Sequence, residues 1–514
     1  MLIVSLALLA TLINAVIDAK KILLLPPNVP SHILELATVG EQLVKNGHTV
    51  YMVLKSVTKP PLIVTTSGIS FIYYESSNAV DPFHDTMFRK RSTDAYMTSS
   101  LIAKIKFITQ FSERQCDDIL SKQSLYAEIA NRRVDFAIVG ASVVTNCLFV
   151  IPHRLRIPYS GITAVPMPYV SNIMLLPSIA PIRHSQLHDD MNLLQRVKNT
   201  LMTATGLTIF NFFTDDKRYL KYTPERPYES LEDLASKSKM WLIDLDNILD
   251  YPKIKMPNVF YVGGLLTHPA RKLPNDLAEF ADGATDGLII VSFGTTISHM
   301  PVDVLQKIAD AFKNLRQRVI WKHLGSMENV TLPDNVFVRA WIPQNDLLGH
   351  PNTKLFITHC GNNGQYEALY HGVPMIGFPM TAEQPFNAER MEHKKFGVKM
   401  DIQRFSSYEL YSNIETVVYG DVNRQAIRRA SAIFKDRRVS PREEAAYWVE
   451  HVMKHGSDHL SMPASNLSWY QILLLDVFTV ILASIVVLFL GFYALVKLCL
   501  RSFRGAKSLK PNRK

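Results

Sequence analysis

Cysteine is scarce. The 514 residues hold four, Cys116, Cys147, Cys360 and Cys499, too few and too scattered for a disulfide framework or a metal cluster. A single Cys116 to Cys147 bridge stays open. The fingerprint G-x-G-x-x-G is missing where a first nucleotide-type strand and helix would carry it, so a dehydrogenase reading lacks its main support. Basic charge is not a property of the body. The net charge is +10, but seven basic residues and no acid lie from Lys497 to the end, which leaves +3 for the rest of the chain. Nucleic-acid binding by the body is therefore not implied. Acids are missing elsewhere too, with no Asp or Glu between Asp135 and Asp189.

What the two ends have is apolar length. Leu2 to Ile17 is short for a membrane span and placed like a secretory signal, so residues 1–19 read as a signal peptide cut near Ala15 or Ala19. Val477 to Val496 is uncharged throughout and long enough to cross a bilayer as a helix, expected over 474–497. Trp469 and Tyr470 flank it on one side and the basic tail 498–514 on the other, an asymmetry that puts the tail in the cytosol and the body in the lumen, as a single-pass type I membrane protein. A lumenal body makes Asn329, in N-V-T, a candidate glycan site and Asn466, in N-L-S, a weaker one.

Between the ends, the length suits two globular α/β domains, expected at 20–275 and 287–460. The first opens on KKILLLPP, a buried strand. In the next helix Ile33, Leu36, Ala37, Gly40 and Val44 recur at helical spacing, Gly47 stops it, and Thr49 to Leu54 is a second strand. Ser31 is the expected N-cap, placing His32 in the first turn. There the positive helix end disfavours imidazolium and keeps the ring neutral. Val134 to Val139 is another buried strand. Pro166 to Phe213, rich in proline, methionine and aromatics, suits an apolar pocket for small molecules. The second domain opens on GLIIVSFGTTISHM, a strand running into a glycine turn where Ser292, Gly294, Thr295 and Thr296 offer donors. A helix over 302–316, a strand over 318–322 and helices near 384–396, 406–418 and 440–455 complete an alternating pattern.

The stretch Trp341 to Gln384 carries the most chemistry. A strand from Leu355 to Thr358 ends on His359, Cys360 and Gly361 and feeds a helix opening near Asn362, which aims free backbone N–H groups at one point and suits a phosphate. His359 adds a hydrogen bond or a charge, Asn363 an amide donor, and Gly364 sits in the same first turn. Glu367 is an acceptor-only group suited to ribose hydroxyls. Trp341 follows a strand over Val336 to Ala340 and can stack a flat base, whose edge Gln344 can read. Glu383 and Gln384, after a strand over Met375 to Phe378, can hold sugar hydroxyls.

The spacing W-x2-Q-x14-H-x-G-x-N-x3-E-x15-E-Q resembles the donor signature of the UDP-glycosyltransferases, in the animal form named after UDP-glucuronosyltransferases. The resemblance covers roughly residues 20–500 and implies a GT-B architecture, two Rossmann-like domains facing across a cleft, plus one C-terminal transmembrane helix. It implies that Trp341 and Gln344 meet uracil, that His359, Gly361 and Asn363 hold the diphosphate, that Glu367 takes the ribose, and that Glu383 and Gln384 take the donor sugar. Glu383 stands where the family's usual acid is Asp. The loop with Ser292, Gly294 and Thr295 faces the diphosphate. His32 matches the catalytic base, which takes a proton from a small lipophilic acceptor in a single inverting displacement.

The resemblance further implies residence in the endoplasmic reticulum and the use of neither cofactor nor metal. The triplet Asp244-Leu245-Asp246 is nevertheless a D-x-D, which binds a metal in a different glycosyltransferase class. The family's Arg for the glucuronate carboxylate aligns near Asp244, which would favour a neutral hexose over glucuronic acid. The acid that orients the base in most members is replaced by Gly140. The alternative reading is thus a membrane-anchored UDP-sugar-binding protein or partner subunit with weak or no catalysis. An oligomer is compatible with either.

Overall fold

A computed structural model describes residues 19–58, 67–76, 101–142, 145–165, 173–174, 176–182, 185–213, 216–295, 300–380, 383–461, 468–472 and 474–506. The segment up to residue 18, expected to be a signal, Thr296, Asn466 and the tail beyond 506 lie outside the described residues.

The body, up to His459, contains two parallel sheets. The first uses β1 (Lys21–Leu25), β2 (Thr49–Lys55), β3 (Ser70–Tyr74), β4 (Phe136–Gly140) and β5 (Tyr159–Thr163). A two-residue strand β6 (Ile173–Met174) pairs antiparallel with β8 (Ile254–Lys255) outside it, while β7 (Trp241–Ile243) and β9 (Val259–Tyr261) extend it. Its order is β3-β2-β1-β4-β5-β7-β9. The second contains β10 (Leu288–Ser292), β11 (Arg318–Lys322), β12 (Val336–Arg339), β13 (Thr353–Thr358), β14 (Met375–Gly377) and β15 (Gly397–Lys399), in the order β12-β11-β10-β13-β14-β15. Parallel sheets need cover on both faces. Their central strands are accordingly continuous apolar runs, KILLL and LIIVS, buried almost throughout.

In both sheets the strand order reverses beside the first strand. That point, at the carboxyl ends, is where such sheets bind ligands. The first helix, Pro30–Lys45, follows β1, and its cap is Val29 rather than the expected Ser31, with no side-chain bond. Pro30 takes the first helical position, where its missing N–H costs nothing and its fixed φ fits, and this moves the start two residues earlier.

Cys116 and Cys147 are joined by a disulfide that ties the Leu101–Leu120 helix to the turn after β4. The last helix of the body, Pro441–His455, falls within the expected second domain but packs on the first. Glu450 accepts from Asn46 Nδ2 at 2.6 Å and pairs with His48 Nε2 at 3.2 Å, and Trp448 stacks on Phe260 with ring centroids 3.6 Å apart. Beyond the body, the helix Leu475–Ala506 holds one run, Leu475–Ser502, long and apolar enough to cross a membrane, with its apolar side chains exposed.

Candidate functional site

β10 and β13 flank the switch point of the second sheet, and the loops leaving them meet there. After β13 the chain turns through His359, Cys360 and Gly361 into the helix Asn362–His371. Cys360 takes φ 64°, rare for a residue with a side chain, and is fully buried. Its Sγ lies 2.2 Å from where a Cβ on Gly377 would stand, so the glycine at the end of β14 makes room for the turn. Gly361 caps the helix without a side-chain bond and no acid occupies the first turn, which leaves backbone N–H groups for an anion.

The His359 ring is wedged between two glycines. A Cβ on Gly294 would come within 2.5 Å of its Nε2, and one on Gly361 within 2.6 Å. Gly294 also has φ +80°, so Gly294→Ala combines a collision with backbone strain of about 1–3 kcal/mol. Its expected result is UDP affinity lowered by roughly tenfold or more by calorimetry, with the strain expressed in the loop that should meet the diphosphate. Ser292 Oγ and His359 Nδ1 are buried without a hydrogen-bond partner, an uncommon state that a bound phosphate oxygen or its water could relieve. Burial and then the nearby Lys322 cation push the His359 pKa down to about 4, against a backbone contact to Ser292. At neutral pH it therefore offers an imidazole N–H rather than a charge.

Trp341 lies two residues past β12 and is 55 % exposed, a free flat surface. Lys322 Nζ, from the end of β11, sits 4.4 Å from its ring centroid. Burial lowers the Lys322 pKa to about 8, an effect opposed by Glu367. Glu367 accepts from Gln344 Nε2 and is itself raised to about 7 by burial, against the pull of Gln344 and Lys322. A Cβ on Gly364 would lie 3.3 Å from Gln344 Nε2, so the helix comes close to Gln344 at this glycine. Lys322 thus stands among Trp341, Glu367 and His359, and these three converge on one place.

His32 faces this cradle from the first domain, partly exposed on its helix. Its Nδ1 is 3.1 Å from Glu35 Oε2. Burial opposes its positive charge, but Glu35, followed by Glu383 and Asp244, outweighs that and raises its pKa. The expected depression by the helix end is therefore overturned, because three carboxylates close to the ring act more strongly than the partial charge of a helix terminus. Asn363 Nδ2 donates to Glu35 Oε1 at 2.7 Å, so its amide reaches across to the helix of His32. Glu383 precedes the helix Gln384–His393, and the side-chain Oε1 of Gln384 accepts from Met380 N–H at 2.9 Å.

Asp244, at the end of β7, is fully buried. Its Oδ1 accepts from Gly264 N–H at 2.8 Å, and Asn362 Nδ2 donates to its backbone carbonyl at 3.0 Å. Burial and then Glu35 raise its pKa to about 7. This carboxylate is turned to backbone amides, so the repulsion expected between it and a glucuronate has no open carboxylate behind it. Asp246 pairs instead with Arg437 and accepts from Ile248 N–H, so the two acids of the D-x-D have separate partners. Among the described residues no group of three His, Cys, Asp or Glu is placed to hold a metal.

Two members of this constellation escape a reading by motif. Lys322 is marked only by its place at the carboxyl end of a parallel strand, and Glu35 only by its i,i+3 spacing from His32. A small half-open pocket lies at the ends of β1 and β2, lined by Pro26, Asn28, Tyr74, Gln115 and Thr145 beside the disulfide. Its lining comes from the ends of β1, β2 and β3, the Leu101–Leu120 helix and the turn after β4 rather than from 166–213, a region described only in part.

Known proteins resemble this chain over most of its length. The family described as UDP-glucoronosyl and UDP-glucosyl transferase matches residues 20–510. The chain is 32% identical over 504 residues to UDP-glucuronosyltransferase 2B17 of Homo sapiens, covering 93% of this chain and 92% of that one. It is 32% identical over 493 residues to UDP-glucuronosyltransferase 2B13 of Oryctolagus cuniculus, at 92% and 91% coverage. Among solved structures, the glycosyltransferase of kitacinnamycin superposes with TM-score 0.59 at 16% identity, over 86% of this chain and all of that one. The calicheamicin glycosyltransferase CalG4 superposes with TM-score 0.55 at 17% identity, over 85% and 99%. These two share the fold, two facing parallel-sheet α/β domains of the GT-B type.

Proposed function

The chain belongs to the family of UDP-glucuronosyl and UDP-glucosyl transferases and is a glycosyltransferase of the UDP-glucuronosyltransferase type, and on that premise we propose how its residues divide the work. Trp341 stacks the uracil and Gln344 meets its edge. Glu367 takes the ribose hydroxyls with Lys322 beside it. The diphosphate lies against the first turn of the helix Asn362–His371, with His359, Gly361 and Asn363 on one side and Ser292, Gly294 and Thr295 on the other. Glu383 and Gln384 hold the sugar, a hexose or glucuronic acid. A small lipophilic acceptor gives its proton to His32 and attacks the anomeric carbon from the face away from UDP, with inversion. The leaving diphosphate is stabilised by backbone and side-chain donors aimed where its charge grows, so no metal is required for that step.

The observation that supports this reading best is the meeting of Trp341, Lys322, Glu367 and His359 at the switch point of one sheet, with His32 opposite and Glu383 close enough to affect its titration. The apolar run Leu475–Ser502 supports a membrane anchor. We read it as a single span with a lumenal body, in the endoplasmic reticulum. The purified full chain, offered UDP-glucose and UDP-glucuronic acid with a panel of phenols, is expected to yield a β-glycoside from at least one donor. Product no more abundant than with heat-killed protein, for every donor and acceptor, would count against the assignment of roles.

A further inference from the structure

The acid that orients the base in most relatives has no counterpart at Gly140, and the packing there explains the glycine. A Cβ at that position would stand 2.4 Å from Pro27 Cδ and 3.3 Å from the Leu25 carbonyl oxygen, so any larger residue must displace the chain that leads from β1 to His32. We propose that Glu35 does that acid's work, as a positioning residue that fixes the imidazole of His32 and steadies the charge it acquires. This rests on His32 being the base.

The geometry meets the demands of such a pair. Residues three apart share a helix face, and Nδ1 of His32 is 3.1 Å from Oε2 of Glu35. Glu35 is 4 % exposed, and a buried carboxylate must be satisfied. Its second oxygen accepts from Asn363 Nδ2 at 2.7 Å, so each oxygen has a partner and the group is held from both sides. Asp244 is the nearest rival. Its carboxylate is committed to Gly264 N–H, and no hydrogen bond joins it to His32.

The chemistry follows from which nitrogen Glu35 occupies. With the Nδ1 proton directed to Oε2, the lone pair at Nε2 is the base. The acceptor's O–H proton passes to Nε2 as its oxygen bonds to the anomeric carbon. The bond from that carbon to the diphosphate oxygen breaks, UDP leaves with the electron pair, and the imidazolium later gives its proton to solvent. Glu35 stabilises the imidazolium between those events, the role a carboxylate fills in other His-based triads. Because Asn363 belongs to the turn that should grip the diphosphate, the carboxylate also links the base to the donor loop.

The charged groups around His32 are Glu35, Glu383 and Asp244, all acids, and Glu35 itself faces His32, Asn363 and Asp244. Deleting the Glu35 charge must therefore let His32 lose its proton at lower pH. In Glu35→Gln, kcat is expected to fall by about tenfold with UDP affinity within about threefold. The acid limb of kcat/KM should move down by about one pH unit. On a His32→Ala background the same change should add nothing further. A limb that stays put, or a full additional loss on that background, overturns the role of Glu35 and leaves the base reading intact. Transfer that survives His32→Ala overturns both. A measurement on the unaltered protein guards against a misfolded variant: carbethoxylation of His32, followed by peptide mass against pH, should show a midpoint above the ordinary histidine value of about 6.5. A midpoint at or below it overturns the proposal.

Discussion

Replacing His32 with alanine is expected to cut sugar transfer by about 100- to 10,000-fold, the usual contribution of a general base, while UDP binds within about twofold of the parent. The split follows from where the residue stands. His32 lies on the helix after β1, in the first domain, whereas every group assigned to the nucleotide lies on strand ends, loops or helices of the second. Donor affinity by calorimetry and turnover by product formation read the two halves separately. A variant that loses UDP binding in step with turnover would mean that the imidazole belongs to the donor site. A phenol with a low pKa should lose less than an aliphatic alcohol, since less of its proton transfer depends on a base.

The second large effect concerns Glu367 and has two signs. Hydrogen bonds to a charged group contribute about 1.5–3 kcal/mol, so Glu367→Gln should weaken UDP binding by about 10–100-fold. The stability of the protein should move the other way or not at all. Burial raises the Glu367 pKa to about 7, against Gln344 and Lys322. A carboxyl whose pKa is higher folded than unfolded makes folding less favourable as pH rises from the unfolded value through the folded one. At pH 8 the ionised group is thus a cost to the fold, which the amide removes, and the melting temperature of the variant should not fall. Affinity in the parent should weaken as pH drops below about 7 and Glu367 takes up its proton, because the ribose hydroxyls are best received by the anion. The variant should lose that dependence. His359, pushed down to about 4, stays neutral over most of this range and does not mask it. A melting temperature several degrees lower, or an unchanged pH profile, would show that Glu367 is structural.

Much of this was legible in the chain. The apolar runs KILLL and LIIVS, and the alternation of strands with helices, gave two parallel sheets, because a strand buried on both faces can only be written that way. The spacing from Trp341 to Gln384 holds one strand-helix-strand unit together, and the helix over Asn362–His371 opens where glycine and asparagine end the strand. Three things were not legible. Strands such as Tyr159–Thr163, YSGIT, lack the continuous apolar run that marks KILLL and LIIVS. The partners of Asp244 are the Gly264 amide and the Asn362 side chain, which no spacing reports. The family resemblance points to the chain after β4 for the acid beside His32, although helix geometry places Glu35 against the ring. The direction of the His32 shift is hidden for the same reason, because tertiary packing brings Glu383 and Asp244 to a helix end that sequence position alone leaves positive.

The return of the Pro441–His455 helix to the first domain sets a limit for anyone trimming the molecule. Glu450 holds Asn46 and His48, the residues just past the helix that carries His32, and Trp448 covers Phe260. A protease cut or stop codon ahead of residue 441 would therefore unroof the base-bearing half, although the donor loops would remain whole. A water-soluble catalytic fragment must be terminated downstream of His455, and one that stops sooner should still bind UDP on an affinity column while failing to turn over.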